Sequence, residues 1–181
     1  MKQKVLVVVD MQNDFIDAAL GTKEAEAIVP AVCEKIEAAA AEGALIYATM
    51  DTHNANYMET REGRFLPVPH CIKGTDGWQI RPEVAQKLGN ARIIEKYSFG
   101  STALPDAIAE ALRIKGTAES DTEIELIGLC TDICVVSNAL ILKARFPEAD
   151  VKVDASCCAG VTVEKHLAAL ETMRSCQVEV I

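Results

Sequence analysis

Ile124-Glu125-Leu126-Ile127-Gly128-Leu129-Cys130-Thr131-Asp132-Ile133-Cys134 reads as a buried strand that ends at Leu129 and turns into a helix. Thr131 or Asp132 is placed to cap that helix, and Cys134 then falls in its first turn. A helix N-terminus carries partial positive charge and unpaired N–H groups. Both favour a thiolate, and the N–H groups can also hold an oxyanion. Cys134 is therefore a candidate nucleophile whose partners must lie elsewhere in the chain.

Outward from this stretch, short apolar runs alternate with helical patterns. Strands are expected at Val5–Val9, Ala44–Thr49, Ala91–Glu95 and Ile124–Leu129, with a fifth beginning at Val151 and a sixth at Val178–Ile181. Helical spacing marks Ala25–Ala41, Leu104–Ile114, Ile133–Arg145 and Val163–Met173. Strand–helix alternation of this kind predicts an α/β fold of three layers, with a six-stranded parallel sheet covered by helices on both faces. Residues 51–78 break the rhythm. They are rich in Gly, Pro, His, Asn and Thr, and a long irregular stretch in a compact domain is usually functional. No internal repeat or linker divides the chain, so one domain over 1–181 is expected.

At 181 residues the chain can bury a sizeable core. Half of it is hydrophobic, which excludes a disordered chain. A formal charge of −9 and few aromatics argue against nucleic acid or an anionic membrane as partner. The N-terminal apolar run is too short to span a bilayer. Seven cysteines, an odd and irregular set, fit reduced thiols in a cytoplasm better than a disulfide framework. Cys157 and Cys158 read as packing residues. These features predict a cytoplasmic protein acting on a small molecule.

Three predicted strands end in reactive side chains: Asp10, Lys96 and, through the turn, Cys134. In a parallel sheet these ends share one edge, where open α/β folds place their ligands. The Lys ammonium favours thiolate, and the Asp can carry the thiol proton to a leaving amine. Backbone N–H groups at Cys130 and Cys134 would form an oxyanion hole. That is acyl transfer through a thioester. Each residue alone also has a plainer role: Asp10 as a turn residue, Lys96 as a solvated strand end, Cys134 as a small core residue. Cys130 is the other candidate nucleophile. The second constellation is Asp51, His53 and His70, with Glu59 or Glu62 as a further carboxylate. Such a set suits a divalent metal with N and O ligands, and zinc, iron and manganese all accept it. His166, in the last helix, reads as a surface or helix-packing residue. No phosphate-binding glycine loop is present.

Asp10-Met11-Gln12-Asn13-Asp14-Phe15 resembles the D-x-Q-x-D-F opening of the isochorismatase-like cysteine hydrolases. Lys96 and Gly128–Val135 match that family's other two motifs in order and spacing. Asp51-Thr52-His53 and Pro69-His70-Cys71-Ile72-Lys73-Gly74-Thr75 resemble the metal motif of its nicotinamidase branch. The resemblance implies Cys134 as nucleophile, Asp10 as proton shuttle, Lys96 as thiolate support and a cis peptide just before Cys130. It implies a metal held by Asp51, His53 and His70, with Glu62 as an extra carboxylate ligand; zinc is the first expectation, iron or manganese the others. In nicotinamidases that metal binds the pyridine nitrogen of the substrate. Phe15 would flank the ring, and Phe99 is a second expected pocket residue. Three departures bear on substrate. The aromatic before the metal motif's Pro-Pro-His is missing or shifted to Phe65; the paired glycines after Phe15 are absent; and Tyr97-Ser98-Phe99-Gly100 differs from the usual segment after the lysine. Isochorismatases proper lack the nucleophilic cysteine and the metal histidines, so vinyl-ether hydrolysis fits less well.

The expected function is a metal-containing cysteine amidohydrolase that converts a small amide, nicotinamide first, to acid and ammonia. Another small amide or a carbamoyl compound is the nearest alternative. A thiol-redox or metal-binding protein without hydrolase activity, using Cys130 and Cys134 as a redox pair, is the alternative from another class. A non-catalytic scaffold is disfavoured because Asp10, Lys96 and Cys134 are all present. Family members are often dimers or tetramers, so a homo-oligomer is expected.

Overall fold

The computed structural model describes residues 2–181. Among these, six parallel strands form one sheet: β1 (Gln3–Val9), β2 (Leu45–Asp51), β3 (Arg92–Lys96), β4 (Thr122–Leu129), β5 (Asp150–Ala159) and β6 (Glu179–Val180). Their spatial order is β3-β2-β1-β4-β5-β6. Two-residue alternation sorts the side chains into two cores. Val5, Val7, Val9, Ile124 and Leu126 pack against α5 (Ala103–Lys115), α6 (Val136–Arg145) and α7 (Val163–Ser175). Leu6, Val8, Ile127 and Leu129 pack against α2 (Lys23–Ala41) and α4 (Pro82–Leu88). The expected three-layer α/β architecture is present, because strands buried on both faces need helices on both sides.

The order reverses between β1 and β4, the neighbours at the centre of the sheet. At such a switch point the connections leave in opposite directions and open a crevice at the carboxyl edge. Val9 pairs with Thr49 on one side and Gly128 on the other, and Asp51 pairs with Lys96. Asp10, Asp51, Lys96 and the turn after Leu129 thus emerge along one edge.

The irregular segment holds more order than its composition announces. Tyr57–Glu59 forms a 3-10 turn and α3 spans Arg61–Phe65. Thr60 caps α3, its Oγ1 accepting the Gly63 N–H at 3.0 Å. Five residues are too few to show an apolar period, so the cap was the only local signal. The short α1 (Asn13–Ile16) and α4, which opens with Pro82 at its first position, went unpredicted for the same reason. The helix expected from Ile133 begins instead with a π-helical turn, Thr131–Val135, followed by α6. Neither expected cap is made. Thr131 Oγ1 pairs with His166 Nδ1 at 2.8 Å, and Asp132 accepts the Val161 N–H at 2.9 Å. Both side chains tie the turn to the start of α7 rather than to its own backbone.

Gly128 adopts φ +116°, and a Cβ there would collide with the carbonyl oxygen of Val9 in the paired strand. Gly128→Ala should therefore destabilise the protein by about 3 kcal/mol, since both backbone conformation and close approach forbid a side chain. Urea denaturation measures this directly; a loss within 0.5 kcal/mol, roughly the scatter of neutral surface changes, would contradict the close packing described.

Candidate active site and metal centre

The Lys96 side chain is almost wholly inaccessible. Its Nζ lies 2.7 Å from Asp10 Oδ2, 3.0 Å from Asp51 Oδ1 and 3.4 Å from Cys134 Sγ. Burial alone would discharge such an amine, but the charges of Asp10, Cys134 and Asp51 outweigh it and hold the ammonium well above its ordinary range. Asp10, at φ +47° just past β1, is fully buried. Its Oδ1 accepts the Thr49 hydroxyl at 2.6 Å. Its Oδ2 faces Lys96 Nζ at 2.7 Å. Burial raises the Asp10 carboxyl above the ordinary value, with Lys96 opposing.

Cys134 is 4% exposed. Burial first, and the Asp10 carboxylate second, push its thiol well above the ordinary range; Lys96 offsets part of this. The local dipole at the start of the helix favours a thiolate, and desolvation of a sulfur anion opposes it. Cys130, the alternative thiol, is pushed up to about 12 by burial. Its side chain packs with the α2 face of the sheet, whereas Cys134 packs with the α6 face. The Leu129–Cys130 peptide bond is cis. All seven cysteines, among the described residues, are unbridged.

Asp51 divides its carboxylate. Oδ1 faces Lys96, while Oδ2 lies 3.1 Å from His53 Nε2 and 3.7 Å from His70 Nε2. Glu62 Oε1, carried by α3, stands 3.6 Å from His53 Nε2 and 3.8 Å from His70 Nε2. The four donor atoms all fall within 4.8 Å of one another. Metal–ligand bonds of about 2.1 Å in a tetrahedron put ligand atoms roughly 3.4 Å apart, so this spacing fits a divalent ion. His70 Nδ1 is 2.8 Å from the Val68 carbonyl, which fixes the tautomer that presents an Nε2 lone pair to the cluster. Burial opposes ionisation of Asp51, but His53, His70 and Lys96 hold its carboxyl far below the ordinary range. Asp51, His53, His70 and Glu62 are thus brought together, whereas Glu59 is outside the group.

Phe15, expected to flank a substrate ring, is buried with its ring centroid 5.5 Å from that of His70. Phe99 lies near the metal side, lining a groove with Glu62 and Phe65.

Two supporting residues escaped the sequence reading, and a third, His166, takes the packing role of the two read for it. Gln12 is fully buried. Its Oε1 accepts the Asp51 N–H at 2.7 Å, and its Nε2 donates to the carbonyls of Asp51 and Trp78 at 2.8 Å each. The amide acts as a short strand clamped on Asp51. Asp14 Oδ2 accepts the Cys71 N–H at 2.7 Å and so holds the residue next to His70, at a point where Cys71 takes φ +46°. His166 is half-buried against Thr131 rather than free at the surface. Gln12 and Asp14 stood inside a quoted motif, and nothing local said where their side chains go.

Gln12→Ala should destabilise the fold by about 3 kcal/mol or more, because two Asp51 backbone groups and the Trp78 carbonyl lose buried partners. It should also weaken zinc uptake, since Asp51 loses its anchor. Urea unfolding with zinc titration checks both; unchanged stability together with unchanged zinc affinity would rule the clamp out.

The family described as the isochorismatase domain matches residues 4–181 of this chain. A nicotinamidase/pyrazinamidase of Mycobacterium tuberculosis is 28% identical over 189 residues, covering 98% of each chain. A pyrazinamidase of Pyrococcus horikoshii, solved in complex with zinc, superposes with a TM-score of 0.79 at 29% identity, covering 99% of this chain and 98% of that one. A nicotinamidase/pyrazinamidase structure from Bacillus subtilis gives a TM-score of 0.83 at 26% identity, covering 98% of each. With a family match across nearly its whole length and nicotinamidases among its relatives, the chain belongs to the isochorismatase family, on its nicotinamidase-like branch.

Proposed function

We propose that this protein is a metal-containing cysteine amidohydrolase, with nicotinamide as its first candidate substrate and nicotinate and ammonia as products. The observation that carries the reading is the single buried ammonium of Lys96, in contact with Asp10, Cys134 and a carboxylate of the metal-ligand group.

In this reading Asp10 Oδ2 accepts the thiol proton as Cys134 Sγ attacks the amide carbon. Burial raises the Asp10 carboxyl above its ordinary value, which makes it a better proton acceptor than an exposed carboxylate. Lys96 compensates the negative charge as it moves from oxygen to sulfur. The N–H groups of Cys130 and Cys134 receive the oxyanion. Collapse of the tetrahedral intermediate breaks the C–N bond, and Asp10 returns the proton to the leaving nitrogen as ammonia departs. Water then attacks the thioester with Asp10 again taking a proton. The acid leaves and the thiol is restored. Asp51, His53, His70 and Glu62 would hold the metal ion, zinc first and iron or manganese next. When bound, it supplies a Lewis-acid anchor for a ring nitrogen. Phe15 packs beside that anchor.

The test is ammonia release from nicotinamide, pyrazinamide and a carbamoyl compound, with bound metal measured on the same sample. Wild type should turn over nicotinamide, and Cys134→Ala should lose at least about 10³-fold in kcat while keeping its Tm. Ammonia release that survives in Cys134→Ala would overturn the nucleophile assignment. Turnover of the carbamoyl compound alone would keep the reaction and change the substrate.

A further inference from the structure

Phe65, Tyr97 and Phe99 are 78%, 63% and 47% exposed, and all three face one groove. It holds about 470 Å³ and lies between α3 and the residues 97–102 that join β3 to α5. Arg61, Glu62 and Ser98 complete its lining. The Glu62 carboxylate also belongs to the metal-ligand group, so the groove and that centre share a residue.

Both walls are held in place. The Arg61 guanidinium sits 5.3 Å over the Phe65 ring, a cation–π contact that steadies the α3 side. On the other side stands Asn138 of α6, which is fully buried. Its Nδ2 donates to the Cys134 carbonyl at 2.8 Å and the Phe99 carbonyl at 3.3 Å, and its Oδ1 accepts the Ser101 N–H at 2.9 Å. A Cβ on Gly100 would meet the tip of the Ile141 side chain, so the backbone here runs close against α6. One amide thus ties Phe99 to the helix that carries Cys134. Aromatic surface fixed beside a buried polar centre has the character of a ligand site rather than of a loose loop.

We propose that this groove is the distal part of the substrate site, taking an apolar or aromatic ring substituent of an aromatic amide whose carboxamide lies at Cys134. This rests on the amidohydrolase reading above. Three aromatic faces accept a second ring by offset or edge contact. The natural substrate class is then a ring-substituted aromatic amide, larger than nicotinamide.

The experiment compares kcat/KM for nicotinamide, 5-phenylnicotinamide and 6-phenylnicotinamide in wild type and in Phe65→Ala/Phe99→Ala. Calorimetric binding of the same compounds is measured on Cys134→Ala with and without those two changes, and sedimentation velocity on every variant. Wild type should favour at least one phenyl compound by about fivefold or more, and the double change should bring that ratio close to one in both turnover and binding. The proposal fails if neither phenyl compound is preferred, or if the preference survives the double change. It fails equally if the double change alters the molecular mass and leaves the ratio intact, since a second copy of the chain is then what covers the groove. Binding that depends on Phe65 and Phe99 without Cys134-dependent hydrolysis upholds the groove and refutes the amidohydrolase reading instead.

Discussion

Lys96 carries a charge in a place where water cannot reach it, and three other elements of the edge are arranged around that fact. Asp10 follows β1, Asp51 ends β2, and Cys134 sits in the turn after β4. Each contributes an atom within 3.4 Å of the same ammonium. A buried charge is tolerable only when paired, and removing one carboxylate partner of such an ammonium typically costs about 3–5 kcal/mol. The ammonium therefore enforces the convergence of the strand ends on which the proposed chemistry depends. The parallel sheet and its switch point deliver the side chains to one edge; the charge then holds them there.

Asp51 makes two sites into one unit. Its two carboxylate oxygens point to different centres, one to Lys96 and one to the histidine–glutamate group. Gln12 fixes the backbone that carries it, and Asp14 fixes the chain beside His70. Both come from the segment directly after Asp10. One short stretch of sequence thus supplies the proton carrier and two supports of the metal group. The turn that holds Cys134 is tied on its outer side to α7, through Thr131 with His166 and Asp132 with Val161.

The sheet was legible because buried strands announce themselves as apolar runs, and Val5–Val9 and Ile124–Leu129 are clear ones. Asp10, Lys96 and Cys134 could be picked out because a parallel sheet forces its strand ends together. Asp51, His53 and His70 were visible as unusual residues in an irregular stretch, but the choice of Glu62 over Glu59 came with the family resemblance. What remained hidden depends on contacts between segments far apart in the chain. Gln12 reaches Asp51, 39 residues away, and Thr131 reaches His166, 35 residues away. The burial of Cys134 was hidden for a related reason. A helix N-terminus is readable locally, whereas the degree of burial that opposes a thiolate is a property of the folded core.

The central claim is that Cys134, and no other thiol, carries the acyl group during turnover. Acid-quenching the wild-type protein during steady-state hydrolysis of nicotinamide, followed by peptide mapping by mass spectrometry, tests this most directly. The account predicts a nicotinoyl group on the peptide containing Cys134, placed on that sulfur by fragmentation. An acyl group on Cys130, or continuing turnover with no acyl-enzyme under conditions that trap a thioester, would contradict it.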